Sequence, residues 1–221
     1  MSKLKVSIED VVTVLFRPAP EFQIVHEKSA LLLINFLDYT DFFVKTAVKA
    51  GMPEAEVAEA LNDFDLRARK AANNAGKLLK TCRDKGFEIV HVKPENEAEV
   101  NRKIGLVVPS GTEALTIYQA VKPRRGELVF SKANGEAFTG TRLDFVLRNM
   151  RVDSLIVCGL MTDQGVLLST IHAVNLGYNV MLVEDACTTF TREAHEIFIK
   201  WYRTFVNVKT TEEVLSLIQK Q

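Results

Sequence analysis

Polar residues stand where three apolar runs stop, and from such positions a side chain can do chemistry. Ala30-Leu-Leu-Leu-Ile34 ends at Asn35, Glu127 to Ser131 delivers Lys132, and Leu155 to Cys158 leads into the tight polar turn Gly159 to Asp163 and a helix from Gln164 to Leu176. A lysine at a strand end can hold an anionic group such as a carboxylate. A helix that starts just after a turn presents backbone N–H groups to a ligand, whatever its side chains are. Two plainer readings stand beside these: Lys132 as an exposed strand-end lysine, and Thr162 and Asp163 as caps for the helix that follows.

Those positions need elements to carry them. The run from Ala30 to Ile34 suits a central parallel strand covered on both faces, and Phe87 to Val92 predicts a second strand, stopped at Lys93-Pro94. Between them, Val57, Ala60, Leu61, Phe64, Ala68, Ala71, Ala75, Leu78, Leu79 and Cys82 recur at helical steps, with Pro53 at the start and Gly86 at the exit. Residues 94 to 126 are mixed, with a short helix expected over Glu113 to Val121. Leu143, Val146, Leu147 and Met150 give another helix its buried face. The segment 153 to 187 predicts a strand over Leu155 to Cys158, the turn, the helix and a second buried strand over Asn179 to Glu184, that is, one βαβ unit. A helix over Glu193 to Tyr202, an edge strand over Thr204 to Val208 and a last helix follow, the last started by a capping box of Thr210 and Glu213. Alternating strands and helices predict an α/β fold: a three-layer αβα sandwich on a mostly parallel sheet of about six strands, doubly wound in the Rossmann manner. The domain is expected over 29–221, behind an amino-terminal arm at 1–28 whose Pro18-Ala19-Pro20 cannot be helical. Such an arm can pack on a neighbouring subunit.

In a parallel sheet the carboxyl ends of the strands converge on one edge, so Asn35, Lys132 and the 159–165 turn can share a pocket. Leu31-Leu-Leu-Ile-Asn35, Phe130-Ser-Lys132, Ala137-Phe-Thr-Gly-Thr141 with Leu143, Gly159-Leu-Met-Thr-Asp163, Gly177-Tyr178 and Glu184-Asp-Ala186 together resemble the isochorismatase-like hydrolase superfamily, the cysteine hydrolases. The resemblance covers about residue 28 to about 190. It implies an aspartate at the first strand end, a lysine at the third and a nucleophilic cysteine at the helix start. Those positions hold Asn35, Lys132 and Gly165 here, so two of the three are replaced. The resemblance also implies a cis peptide at Met161–Thr162, and a pocket bounded by Phe138, Met161, Thr162, Asp163 and Gln164.

The replacements change the chemistry. Amide hydrolysis by the family route needs a thiolate, and Gly165 has no side chain. Relatives that cleave a vinyl ether carry glycine at this position, but that reaction requires a carboxylic acid, and the Asn35 carboxamide does not ionise near neutral pH. Asp38 could replace the carboxylate if the chain turns into a helix after Asn35; its plain reading is a helix cap or a surface group. Ser169 is expected to be buried, and Cys82, Cys158 and Cys187 to be core thiols rather than a disulfide framework. No histidine lies between His26 and His91 and no histidine pair has ligand spacing, so no catalytic metal and no other cofactor is expected.

Of the 221 residues 47% are apolar, enough for one sizeable core, and Lys plus Arg equals Asp plus Glu at 28 each. The balance predicts no attraction to nucleic acid or an anionic membrane, and partners that are small molecules or further copies of the chain. With no signal-peptide pattern at the start and no run of membrane-spanning length, the expected compartment is the cytoplasm. The expected function is a family hydrolase acting on a small anionic metabolite without a cysteine nucleophile. The alternative is a catalytically silent member that binds a small molecule or serves as an interaction subunit. The chain is expected to form a homo-oligomer, a dimer or larger.

Overall fold

The computed structural model describes residues 19–94, 115–133 and 135–220. Six strands form one sheet: β1 (Ser29–Ile34), β2 (Glu88–Pro94), β3 (Leu128–Lys132), β4 (Ser154–Leu160), β5 (Asn179–Thr188) and β6 (Asn207–Lys209). Their order is β3-β2-β1-β4-β5-β6, and every pairing is parallel. The connection from β3 returns across the sheet to place β4 against the free side of β1, which makes the β1/β4 boundary the topological switch point. β1 and β4 are buried along their whole lengths, which requires helices on both faces. That is the expected αβα sandwich.

Among the described residues six α-helices accompany the sheet: α1 (Thr40–Lys49), α2 (Glu54–Asp84), α3 (Leu143–Asn149), α4 (Gly165–Asn175), α5 (Arg192–Tyr202) and, after the last strand, α6 (Thr211–Gln219). Helix α2 starts after Pro53 and ends before Gly86, which adopts φ +75°. Its buried seam begins only at Phe64 and runs through Ala68, Ala71, Ala72, Ala75, Leu78, Leu79 and Cys82. Val57 and Leu61 are half-buried and Ala60 is exposed, because the first turns of α2 overhang the sheet and meet α1 instead. The small residues of the seam let a second segment approach. A Cβ added at Gly76 would lie 2.8 Å from the Ala120 carbonyl oxygen, in a 3-10 turn over Gln119–Val121.

That turn replaces the expected helix over Glu113 to Val121. Within the described part Ile117 instead makes an antiparallel bridge to Leu37, and the Asp38 N–H donates to the Thr116 carbonyl, so β-type bonds hold the segment extended. Strand β6 also begins later than expected, at Asn207, since the N–H groups of Thr204, Phe205 and Val206 still bond back to carbonyls at the end of α5. The arm is described from residue 19 onward. It lies on its own chain, where Asn207 donates to the Pro20 carbonyl at 3.0 Å, Lys209 pairs with Glu21 at 2.9 Å, and Ile24 is buried.

Candidate functional site

Strand β1 ends because Asn35 adopts φ +53°, a left-handed conformation that asparagine tolerates better than most residues. Its N–H still donates to Val92 of β2, while its carbonyl accepts from Leu37 N–H at 2.7 Å. The chain therefore reverses at once, and the Asn35 side chain stays at the sheet edge. Beside it, β4 comes unusually near. A Cβ on Gly159 would lie 2.2 Å from the Ile34 carbonyl oxygen, and Gly159 has φ +152°. Only glycine permits this approach. The β4–β5 register also shifts here, from Val157 opposite Leu182 to Gly159 opposite Cys187.

A cis peptide joins Leu160 and Met161, one residue before the expected Met161–Thr162 bond, because β4 runs on to Leu160 and the chain turns at Met161. The Met161 carbonyl then accepts from both Gln164 and Val166, which closes the turn onto α4. Thr162 is fully buried. Its N–H donates to the Thr188 carbonyl, its Oγ1 meets His195 Nδ1 at 2.9 Å, and its carbonyl accepts from the Tyr202 hydroxyl at 2.8 Å. Asp163 accepts from the Thr189 hydroxyl. Neither residue caps α4, whose N-cap, Gln164, makes no side-chain cap bond. The capping expectation is therefore corrected: Thr189, just beyond β5, and His195 of α5 engage the two side chains, and no side chain caps α4.

Gly165 is where the three strand-end positions meet. A Cβ built there would lie 2.8 Å from Asn35 Nδ2 and 3.5 Å from the carbonyl oxygens of Gly135 and Leu160. The Asn35 carboxamide thus stands where a side chain on residue 165 would begin. Lys132 closes the group, since its Nζ donates to the same Gly135 carbonyl at 2.9 Å. Lys132 is only 4% exposed, so it is not a surface lysine, and burial lowers its amine to about 8 against the pull of Glu136. Asn35 is 9% exposed, and among the described residues its Oδ1 has no hydrogen-bond partner.

The loop after β3 is tied to α4. Glu136 accepts from the N–H groups of Phe138 and Thr139 and lies 3.3 Å from His172, while Ala137 N–H donates to Ser169 Oγ, which in turn donates to the Gly165 carbonyl. Ser169 is buried, as expected. Phe138 is buried too. Its ring packs on His172 and Tyr178, so it wedges the loop against α4. Met161 is buried and Gln164 exposed. Asp38 accepts from Thr40 N–H and pairs with Arg69 at 3.2 Å, the plain reading of that residue. The three thiols are buried; burial raises Cys82 and Cys187 to about 12 and Cys158 well above its usual range. They are core groups, not displaced nucleophiles. Of the mixed stretch 94 to 126, residues 95–114 lie outside the described residues.

Two supports have no signature in the sequence. Arg67 of α2 donates to Thr188 Oγ1, the Thr189 carbonyl and the Phe190 carbonyl, fixing the stretch that holds Thr162 and Asp163. His195 braces Thr162 from α5, and burial, helped by the charge of Arg67, lowers its pKa and favours the neutral ring. Both contacts join residues far apart in the chain, and neither residue type nor spacing announces them.

Comparison with known proteins agrees with the fold. The model of the isochorismatase domain matches residues 29–213. The chain is 32% identical over 157 residues to the isochorismatase family protein YddQ of Bacillus subtilis, covering 66% of this chain and 85% of that one. It is 27% identical over 157 residues to the phenazine biosynthesis protein PhzD1 of Pseudomonas aeruginosa, covering 68% of this chain and 75% of that one. A cysteine hydrolase from Pseudomonas syringae pv. phaseolicola has a similar fold, with a TM-score of 0.71 at 18% identity over 92% of this chain and 98% of that one.

Proposed function

The chain belongs to the isochorismatase family, and from that premise we propose that it hydrolyses a small anionic metabolite without a covalent thiol intermediate. The supporting observation is Lys132: a buried amine at the end of β3, bonded to the loop carbonyl that also faces Gly165. A carboxylate at the open head of α4 meets backbone N–H groups and the Lys132 charge together. With its amine lowered to about 8, Lys132 is also the group able to give up a proton near neutral pH, which a vinyl-ether-type cleavage by water needs and Asn35 cannot supply. Asn35, Lys132 and Gly165 are then the reacting floor of the pocket, with Met161 and Gln164 at its turn and Thr162 and Asp163 holding that turn in place. The proposal includes no metal and no cofactor. It has the chain working in the cytoplasm as one domain over 29–221, in a homo-oligomer.

One observation favours a second reading. The Asn35 carboxamide fills the place of a side chain on residue 165, so the site is closed to thiol chemistry by occupancy as well as by absence, as suits a member that binds without turnover. Assay of the native protein against isochorismate, related vinyl ethers and small amides separates the two. Turnover by the native protein that disappears in Lys132→Ala supports the hydrolase. Turnover confined to a variant carrying both Asn35→Asp and Gly165→Cys overturns it.

A further inference from the structure

We infer that the groove between β5 and α5 is a second ligand site, for a small organic ammonium, and that its occupant steadies the Thr162 turn through His195. The groove has a volume of about 380 Å³ and is walled by Glu184 and Asp185 of β5, by His195, Glu196 and Ile199 of α5, and by Lys200 and Arg203 at the end of that helix. None of Asn35, Lys132 and Gly165 lines it, so the inference stands apart from the proposed function.

Charge names the ligand class. Three carboxylates face two cations here, and burial favours the neutral ring of His195, which leaves one net negative charge. Arg203 is already matched by Glu184 at 2.6 Å. Among the described residues Asp185 is held by the Thr211 N–H and hydroxyl, each at 2.7 Å, and by the Asn74 amide at 3.2 Å, all of them neutral donors. Its charge therefore stays available, and a positive ligand is drawn in while a carboxylate is repelled. Among the described residues no three His, Cys, Asp or Glu side chains converge as metal ligands, and the buried Ile199 offers an apolar wall. The cation that fits is organic.

His195 ties this groove to the candidate site. Its Nδ1 meets Thr162 Oγ1 at 2.9 Å, which leaves Nε2 as the ring nitrogen a ligand can use. The Thr162 hydroxyl can donate or accept, so by itself that contact does not fix the tautomer. An ammonium has only donors and needs Nε2 unprotonated. The ring proton then lies on Nδ1 and donates to Thr162, whose N–H and carbonyl are already held by Thr188 and Tyr202.

NMR of the isotopically labelled native protein tests this, with titration by butylammonium chloride and, at matched ionic strength, by sodium butyrate and potassium chloride. Butylammonium alone is expected to shift the His195 ring and the Thr162 amide saturably, with the ring proton on Nδ1. Glu196→Lys, a solvent-facing change on α5, should raise the dissociation constant about tenfold, since an attraction becomes a repulsion. Equal shifts with butyrate or potassium chloride, or no saturable shift at His195, would overturn the site. Binding that leaves the proton on Nε2 and Thr162 unmoved would overturn its link to the turn.

Discussion

Gly159 and Lys132 show what single residues decide at this strand edge. With a Cβ at residue 159 only 2.2 Å from the Ile34 carbonyl and a φ of +152°, Gly159→Ala must part β4 from β1 just below the site. A loss of about 3 kcal/mol or more is expected, in the range of substitutions that strain a fixed backbone, and a urea melt measures it. Lys132 carries two opposed effects of pH. Its folded pKa of about 8 lies below the ordinary 10.5, so the unfolded chain holds more protons between those values. Stability from this group therefore rises as pH climbs from about 8 to 10.5, while affinity for a carboxylate falls as pH climbs through about 8. Lys132→Met should raise neutral-pH stability by up to about 3 kcal/mol, the shift converted at 1.36 kcal/mol per pKa unit, and abolish the pH-dependent anion binding. Unchanged melting and unchanged titration in that variant would contradict the charge assigned here. The sequence placed Asn35, Lys132 and Gly165 at strand ends and named what two of them lack. It could not show that the Asn35 amide fills the space at 165, because that needs the approach of β4 to β1.

Elements were legible where their pattern was local. The apolar runs of β1 and β4, the stripe of α2 and the Thr210–Glu213 capping box each lie within one short window, and each is present. Helix α1 went unread because its apolar residues are at most half-buried, with Phe43 packing on Phe64 and Phe190 at the edge of the core. Strand β5 went unread past Glu184 because Glu184 and Asp185 interrupt its apolar run, yet the strand continues to Thr188 through the register shift. Side-chain clusters between elements were also hidden. Arg83 of α2 reaches Glu127 through two bonds, at 2.6 and 2.9 Å, and His91 of β2 meets the same carboxylate at 3.1 Å. Burial opposes ionisation of Glu127, but the bonds from Arg83, Arg124 N–H and His91 together hold it down at about 2, and burial lowers the His91 pKa. Both folded values lie below the unfolded ones, so this cluster stabilises at neutral pH and loses its contribution in acid, through the His91 range first and towards about 2 for Glu127. Glu127→Gln should flatten the acid limb of a stability-versus-pH curve; an unchanged limb would remove the cluster from the account. Arg67 is the other tie between elements. Arg67→Met should cost about 2–4 kcal/mol, since several charged hydrogen bonds to Thr188, Thr189 and Phe190 are lost together, and should loosen the Thr162 turn, seen as faster amide exchange at Thr162 and Asp163.

At the scale of the whole molecule, alternating strand and helix signals were enough for the αβα class, and the 3-2-1-4-5-6 order explains why one sheet edge gathers the site. The strand order itself was beyond the sequence pattern, since it depends on which side of β1 receives β4. Association is a question of the outer surface, and there the structure offers a specific place to test the proposed homo-oligomer. Ile197 and Trp201 lie one turn apart on α5 and are 65% and 45% exposed, with Phe190 near the start of the same helix at 42%. Ile197 and Trp201, four residues apart on one helical face, offer apolar surface that a second copy could cover, and equal numbers of acidic and basic residues, 28 of each, give two copies no net repulsion to overcome. Sedimentation at micromolar concentration should show a dimer or larger. Ile197→Asp should shift the species towards monomer while changing the melt of the monomeric fold by no more than about 0.5 kcal/mol, because the substituted side chain is solvated in the single chain. A native protein that sediments only as monomer would end the oligomer proposal. A variant that stays oligomeric would move the interface to another face and leave α5 as a helix that braces the Thr162 turn through His195 and Tyr202.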